Sequence, residues 1–435
     1  MKKAFTGIAL AVTIAAVLAG CSDPGAGSSS SAASWPSETT NLNGVNLTLW
    51  AAQASNKIPA AAIKGFDKLT GANVKVVTIP DPYEQGVLTK IATGDKPDIA
   101  FWSPTQSSLA SINAKTNLQP LTAAPWLSKT QPSLRDVTGI LNGTRYAALI
   151  SSPSVLGVYY NKAAFAKAGI TSLPKSIPAM VADAKALKAA GVTPFYDMGG
   201  DKWGTQWFTQ IALADAAKEG LWTKVNKNQE KFTDPTILKA ITDYKSLIDD
   251  GLYNADIKTG TFVDQGKSLL SGDTAMVVQI NAFAGELQAD ASAGELDQKV
   301  GFFPVSESGT TAVTLPDQTN ALVAFKTGDA KREAASRQFL AYLLGSGYSA
   351  FVKSQNAVSI EPSVATPSTV PELQKSLTAA FANSVGGMQT LAVANPDLYI
   401  YLDDMIQGTK TPLEVAQATQ TQFEQLAKAQ GVAGF

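Results

Sequence analysis

Aromatic and polar side chains stand directly after several apolar segments that we predict to be strands. Trp50 and Trp102 each close such a segment, Ser103 follows Trp102, and Asn281 follows the apolar run Thr274–Ile280. Aromatic rings offer flat apolar faces, and hydroxyl and amide groups exchange hydrogen bonds with hydroxyls. Together they could bind a small solute that has both ring faces and hydroxyl groups, such as a sugar.

Four further residues join this candidate ligand-binding set. Tyr83 and Glu84 open the predicted helix after the second strand, and Trp203 and Trp207 are four residues apart. Residues at this spacing share one face of a helix. Packing in a core explains each aromatic taken singly, whereas the whole set, with several members at strand ends, favours a ring-binding site.

The composition removes most catalytic chemistry. The chain has no histidine, and Cys21 is its only cysteine, which excludes histidine-based triads, histidine metal sites and disulfides. Asp249-Asp250 and Asp403-Asp404 are adjacent pairs on predicted helices. Neighbours on a helix point about 100° apart, which is unsuited to an acid–base pair. We therefore predict no catalytic residue, no metal and no cofactor, although an enzyme acting through two cleft carboxylates stays open.

The N-terminus has the pattern of a bacterial lipoprotein signal. Lys2 and Lys3 precede an apolar run that ends at Leu18, just before an Ala-Gly pair and Cys21. Cleavage after residue 20 would free Cys21 for a diacylglycerol and an acyl chain such as palmitate, and two or more chains anchor a protein stably. The small polar residues 21–44 predict a flexible tether. The alternative is an ordinary secretory signal with an incidental cysteine.

The charge and the length of the chain limit the kinds of binding partner and the number of domains that we expect. The net charge of −1 shows no basic excess, so we expect no nucleic acid partner. A chain of 435 residues exceeds one typical domain, which favours two. We expect a monomer that is lipid-anchored in the cell envelope, at the outer face of the cytoplasmic membrane.

Apolar strands alternate with amphipathic helices along the chain, which predicts α/β lobes with mostly parallel sheets flanked by helices. The predicted strands are Val45–Trp50, Val74–Ile79, Asp98–Trp102, Gly143–Ile150, Val155–Tyr160, Thr274–Ile280, Val300–Phe303 and Asn320–Phe325. The predicted helices are Ile58–Thr70, Tyr83–Thr93, Thr105–Ala114, Lys162–Ala168, Ser176–Ala190, Trp203–Ala217, Pro235–Asp250, Val263–Ser271, Ala282–Ala291, Ala330–Leu344, Pro371–Ala382, Asp397–Gln407 and Pro412–Ala429.

Three segments, in this order, carry a resemblance to a known family. They are Tyr83–Trp102 with its Gly-Asp-Lys-Pro-Asp-Ile sequence, Val158–Gly169 with Tyr-Tyr-Asn-Lys, and Phe232–Met276, which ends in Gly-Asp-Thr-Ala-Met. Over roughly residues 45–430 the chain resembles the family 1 extracellular solute-binding proteins of ABC sugar importers, which include maltose-binding protein.

The resemblance implies a two-lobed, hinged fold of the periplasmic-binding-protein type II, with the ligand cleft between the lobes. It predicts crossings near Ala148–Ser154, Leu315–Thr319 and Ser359–Thr366. The expected divisions are a signal peptide over 1–20, a tether over 21–44, an N-terminal lobe over 45–150 and 317–360, and a C-terminal lobe over 151–316 and 361–435.

The resemblance also assigns ligand contacts in the N-terminal lobe. Trp102 falls where the family often has a sugar-stacking aromatic, with Ser103 and Gln106 nearby. Asp317-Gln318 replaces a Gly-Gly turn of many members, and Asp317 could supply a ligand carboxylate.

Two assignments concern the C-terminal lobe. Trp203 matches the aromatic that follows the family's Thr-Pro-Phe segment. Asn281 and Phe283 stand where many members have Gly-x-Trp, and Phe283 could replace the missing tryptophan.

The implied function is capture of a mono- or oligosaccharide and its delivery to the transmembrane subunits of an ABC permease, without turnover. A different solute, such as a polyamine, a metal chelate or a phosphate ester, is the alternative. The few arginines of the chain, Arg135, Arg145, Arg332 and Arg337, argue against an anion.

Overall fold

The computed structural model describes residues 35–52, 60–80, 83–135, 138–316, 320–355 and 357–435. The predicted signal segment, the predicted anchor residue Cys21 and the candidate ligand residue Asp317 lie outside these residues. Trp35–Phe435 form one compact unit. Within the ranges given, no helix combines the length and the apolar character needed to cross a membrane.

The strands are short, and most are almost wholly buried. They are β1 (Asn46–Ala52), β2 (Asn73–Ile79), β3 (Ile99–Phe101), β4 (Ile140–Leu141), β5 (Thr144–Arg145), β6 (Ala147–Leu149), β7 (Ser154–Asn161), β8 (Thr193–Phe195), β9 (Thr274–Gln279), β10 (Val300–Phe303), β11 (Ala312–Leu315), β12 (Ala321–Ala324) and β13 (Ser384–Gly386).

Helices separate and cover these strands. They are α1 (Ala60–Thr70), α2 (Tyr83–Ala92), α3 (Gln106–Ser111), α4 (Ala114–Asn117), α5 (Pro132–Arg135), α6 (Lys162–Lys167), α7 (Ile177–Ala189), α8 (Trp207–Ala212), α9 (Ala214–Lys218), α10 (Leu221–Asn226), α11 (Pro235–Asp249), α12 (Phe262–Ser271), α13 (Ala282–Asp290), α14 (Ala293–Lys299), α15 (Ala330–Leu343), α16 (Tyr348–Gln355), α17 (Glu372–Ala379), α18 (Met388–Leu391), α19 (Leu398–Gln407) and α20 (Pro412–Ala429). Single 3-10 turns cover Pro125–Ser128 and Ala380–Asn383.

Two large sheets organise the chain, and we call the part built on each a lobe. The first sheet has the order β2-β1-β3-β12-β6, and the second has the order β13-β11-β7-β9-β8, with β10 paired to β7. The predicted α/β class is confirmed. Both sheets are mixed, however, because β12 runs antiparallel to β3 and β6, and β7 runs antiparallel to β9, β10 and β11. The other described strands of each sheet all run in one direction, so the prediction of mostly parallel sheets flanked by helices is confirmed.

The chain passes directly from one sheet to the other at two places. One passage lies between β6 and β7, and the other lies between β11 and β12. Asn281 and Asn320 fix the first passage: Val155 N donates to Asn281 Oδ1 at 2.9 Å, and Asn320 Nδ2 donates to Ser152 O at 3.0 Å. We call this region the lobe junction. The carboxyl end of β9 lies there, and open α/β sheets bind their ligands at such ends.

Residues 35–44 are not a flexible tether, contrary to the prediction. The Trp35 ring packs edge-on against Trp126 with centroids 4.9 Å apart, and Leu42 is buried. Glu38 Oε2 accepts hydrogen bonds from the backbone and the hydroxyl of Ser346. The aromatic ring and the carboxylate give this polar segment a docking surface on the first lobe, so the tether prediction now concerns only the residues before Trp35.

The predicted helix Trp203–Ala217 is divided. Trp203 lies in a turn, α8 begins at Trp207, and Leu213 is shared by the end of α8 and the start of α9. Trp203 and Trp207 nevertheless remain in contact, with ring centroids 6.1 Å apart.

Candidate functional site

A cavity of about 480 Å³ lies at the lobe junction. It is bounded by the first passage, the start of α13, the end of α16 and one side of α17. Its lining residues are Ser151, Ser152, Ser154, Asn281, Ala282, Gly285, Gln288, Asn320, Gln355, Ala357, Val358, Gln374, Leu377 and Thr378. Its size falls within the range of cavities that hold small organic ligands.

The cavity lining is neutral. Hydroxyl, carboxamide and aliphatic side chains make up the residues that line it, with no charged or aromatic side chain among them. Over the described part of the chain, the side-chain amides of Gln288, Gln355 and Gln374 make no hydrogen bond to another protein group. These amides can therefore both donate to and accept from a solute hydroxyl.

One face of α13 forms a wall of the cavity. Ala282, Gly285 and Gln288 are spaced three residues apart and line it, whereas Phe283 and Leu287 point into the core. A side chain on Gly285 would meet no atom within 4 Å of its Cβ. The glycine therefore leaves open space on the cavity side of the helix.

Five of the predicted ring-binding residues are buried instead: Trp50, Tyr83, Trp102, Trp207 and Phe283. Trp102 is 0% exposed and its Nε1 donates to Ser108 O at 2.8 Å. Phe283 is 0% exposed and packs edge-on against Tyr159. The assignment of stacking contacts to Trp102 and Phe283 is therefore corrected: their rings fill the lobe interiors and present no face to a solute.

Tyr83 and Trp50 have structural contacts of their own. Tyr83 Oη donates to the carbonyl oxygens of Phe101 at 2.7 Å and Trp50 at 3.2 Å, which holds the start of α2 against the ends of β3 and β1. Lys90 Nζ lies 5.5 Å from the Trp50 ring centroid. Burial of these side chains replaces the predicted ligand contact.

The remaining predicted residues of the first lobe are dispersed. Ser103 is buried, and Glu84 is exposed at the start of α2. Gln106 lines a separate cavity of about 290 Å³, whose opposite wall is Thr390 and Leu391 of the second lobe. Gln106 therefore lies at an interface between the lobes, but it does not line the larger cavity.

Trp203 keeps a partly exposed ring in the second lobe. It packs against Phe262, with centroids 5.2 Å apart, and its carbonyl accepts a hydrogen bond from Gln206 Nε2 at 2.9 Å. Trp207 is buried, and its Nε1 has no hydrogen-bond partner among the described residues. Gln389 Nε2 donates to Gln206 Oε1 at 2.7 Å. Trp203 does not line the junction cavity.

Sequence reasoning missed most of the polar cavity lining. Ser151, Ser152 and Ser154 form a serine-rich run in the chain, which was the one local signal available. Gln288 and Gln374 are 86 residues apart in numbering, and only the packing of the second lobe brings them to one cavity. Of the predicted site residues that the structure describes, Asn281 alone lines the junction cavity.

The family resemblance predicts that Trp203→Ala weakens solute binding by roughly 1–3 kcal/mol, because a partly exposed ring can cover one face of a ring-shaped solute, whereas the position of Trp203 outside the junction cavity predicts no loss. Calorimetric titration of the variant checks this. Trp102→Ala is the comparison. Because the Trp102 ring is in the core, this variant should have a much lower melting temperature, while the folded protein keeps nearly its full affinity. Unchanged affinity of Trp203→Ala would show that this ring does not contact the solute.

A buried carboxyl lies at the start of the loop that carries Trp203. Asp197 follows β8, and its carboxylate accepts hydrogen bonds from Met198 N at 2.8 Å and from Tyr244 Oη at 2.5 Å. Burial nevertheless raises the pKa of Asp197 to about 6 from its ordinary value of 3.8. The folded protein therefore holds this proton more tightly than the unfolded chain does.

This pKa predicts a pH dependence of stability. The contribution of Asp197 is fully present below pH 3.8 and is lost as the pH rises through about 6, a change of up to about 3 kcal/mol. Asp197→Asn should abolish this loss. The measurement is the difference in melting temperature between variant and wild type from pH 4 to 7.5, and a constant difference would contradict the prediction.

Comparison with known proteins places the chain in a family. A family model described as bacterial extracellular solute-binding protein matches residues 51–350. A binding protein of Brucella abortus is 26% identical over 197 residues, 45% of this chain and 46% of that protein, so the chain spans about half the length of this relative. An extracellular-binding protein of an ABC transporter of Pyrococcus horikoshii is 25% identical over 278 residues, 62% of this chain and 61% of that protein.

Solved structures extend the likeness over most of the chain. A chitin oligosaccharide binding protein has a TM-score of 0.68 and 22% identity, covering 90% of this chain and 99% of that one. A bacterial solute receptor with an exclusive preference for β-D-galactopyranose has a TM-score of 0.70 and 22% identity, covering 91% and 99%. At these identities the likeness shows the two-lobed binding-protein fold alone. Because the family model covers well over half of its residues, the chain belongs to the bacterial extracellular solute-binding proteins.

Proposed function

We propose that this protein captures a neutral sugar, a mono- or oligosaccharide, outside the cytoplasmic membrane and delivers it to the transmembrane subunits of an ABC permease. The observation that carries the proposal is the junction cavity of about 480 Å³, lined by hydroxyls and carboxamides. Sugar hydroxyls both donate and accept hydrogen bonds, as these side chains do. Membership of the solute-binding family and the sugar-binding neighbours support this assignment.

The cavity chemistry favours a sugar over a polyamine. Burial of an ammonium group away from water is costly unless a carboxylate or several oxygen acceptors compensate it. The described cavity lining contains no carboxylate. A phosphate ester would require cations for the same reason, and the lining offers none. A neutral polyol has no charge, so it can be buried in this cavity without either cost.

The proposal includes capture without bond cleavage, and the described cavity lining supports this part of it. No group of three or more Asp, Glu, His or Cys residues that could hold a metal occurs among the described residues, and the cavity lining has no acid for glycoside cleavage. A solute bound between two lobes stabilises their closed arrangement, because it contacts both. The proposal includes a lipid anchor at Cys21, which would keep the protein beside its permease.

A thermal-shift screen tests the function. The purified protein is heated with glucose, galactose, N-acetylglucosamine, their linked oligomers, putrescine, spermidine and iron chelates. A ligand present at 100 times its Kd stabilises the folded state by about 2.7 kcal/mol. We expect a clear shift with at least one sugar and no sugar cleavage. A shift with a polyamine or chelate alone would reject the proposal, and cleavage of the sugar would favour a carbohydrate-active enzyme.

A further inference from the structure

We infer that the solute is an oligosaccharide, with one ring in the junction cavity and the next in a groove between α13 and α17. This inference rests on the proposed function and narrows its ligand. The groove has a volume of about 270 Å³. It shares two lining residues, Gln288 and Gln374, with the junction cavity. The two spaces are therefore adjacent, and these two amides stand at the boundary between them.

The groove is lined by uncharged side chains, as the cavity is. Beyond the shared amides it is lined by small or neutral residues of the ends of α13 and α17, including Ala291, Ser292 and Pro371. Ser292 caps α14, since Glu295 N donates to its Oγ and its Oγ donates to Glu295 Oε2 at 2.8 Å. The floor of the groove is thus fixed, whereas the amides of Gln288 and Gln374 have no protein partner among the described residues.

The length of the combined site exceeds one sugar ring. Ala282 lines the cavity at the start of α13, and Ala291 lines the groove just past its end. The nine residues of α13 span about 13 Å at 1.5 Å per residue. A single six-membered ring in the cavity would leave the groove to water, whereas a linked second ring would pass between the two amides.

The groove belongs to one lobe. Its helix α17 packs against β10 and α14, and β10 pairs with β7 in the second sheet. Lobe opening therefore leaves the groove intact, and a ring bound there contacts the open and closed forms equally. A contact made equally in both states raises affinity without shifting the balance between them. Chain elongation should consequently tighten binding and leave the extent of closure unchanged.

The test compares sugars of increasing length on Gln288→Ala/Gln374→Ala. The probes are glucose, galactose and N-acetylglucosamine with their α-1,4- and β-1,4-linked di- and trisaccharides, titrated by calorimetry, and closure is followed by small-angle scattering. In the wild type we expect an oligomer to bind at least about tenfold tighter than its own monosaccharide, a gain of about 1.4 kcal/mol. The double variant should lose that gain, and its affinity for the monosaccharide should fall by less than its affinity for the oligomer, because both amides also border the junction cavity.

Gln298→Ala on α14 is the matched control, because Gln298 is exposed and lines neither space. It should behave as the wild type does. Binding of monosaccharides with no gain for any oligomer, or a gain that survives in the double variant, would overturn the inference and leave the proposed function standing. Equal losses for monosaccharide and oligomer would also overturn it. Failure of the wild type to bind any of these sugars would overturn both.

Discussion

Gly285→Leu is expected to lower sugar affinity at least about 100-fold, or about 2.7 kcal/mol, while the protein stays folded. Gly285 lines the junction cavity, and a Cβ at this position meets nothing within 4 Å. Helical side chains lean toward the N-terminus of their helix. The leucine would therefore extend over Ala282 and Asn281, into the space that we assign to the sugar.

The same substitution should not damage the fold. Glycine inside a helix is less favourable than alanine by about 0.5–1 kcal/mol, and leucine is a good helix former. Gly285→Ala is therefore the matched control: it should raise the melting temperature slightly and retain most of the affinity. Titration of both variants with the best sugar of the screen provides the measurement. Wild-type affinity in Gly285→Leu would show that the solute binds elsewhere, with the partly exposed ring of Trp203 as the first place to look.

The sequence predicted most elements because their signals are local. The mostly apolar segment Thr274–Ile280 predicts a strand, and the strand is observed as Thr274–Gln279. The helix predicted over Pro412–Ala429 is observed with the same bounds, with a Thr411–Glu414 capping box at its start. Such elements carry their hydrophobic pattern and their end signals within one short stretch of chain.

Elements that depend on distant partners were missed. The strand β11 has four residues, and its hydrogen bonds run to β7 and β13, which lie more than 65 residues away in sequence. The helix α16 was also not predicted. It packs against α1 and α15, and its buried residues are few. Short elements of this kind gain their stability from tertiary contacts, which no local pattern records.

The candidate site was harder to predict than the fold for a geometric reason. A residue at a strand end can point into the lobe or into the cleft, and sequence position does not distinguish the two. Trp102 follows β3 and still donates its backbone N–H to Ala321 O at 3.2 Å, so it continues the sheet pairing and its ring joins the core. Asn281 follows β9 in the same way but lines the cavity. Residue type therefore indicated the general region of the site, whereas the packing of the side chains determined which residues line the cavity.

Asp98 provides the largest expected effect on stability. Its carboxylate is 0% exposed and accepts hydrogen bonds from Arg332 Nε at 2.9 Å, from an Arg332 terminal nitrogen at 2.8 Å and from Thr48 N at 2.7 Å. It thereby ties β1 and the start of β3 to α15. Asp98→Ala would leave a guanidinium and a backbone N–H without their partner, and loss of one member of a buried pair costs about 3–5 kcal/mol. Because Arg332 is partly exposed, water compensates some of this loss, and we expect a value near the lower end.

Asp95, three residues earlier in the same motif, is the control. Its substitution removes the same charge from an exposed ion pair, so the comparison shows the effect of burial. Its carboxylate pairs with Lys90 at 2.9 Å, but both side chains are largely exposed. Exposed ion pairs contribute about 0–1 kcal/mol because water solvates each partner almost as well. Urea unfolding of Asp98→Ala and Asp95→Ala should therefore give losses that differ by at least about 2 kcal/mol. Equal losses would mean that the Asp98–Arg332 pair does not hold the first lobe together, and that apolar contacts alone fix the arrangement of β1, β3 and α15.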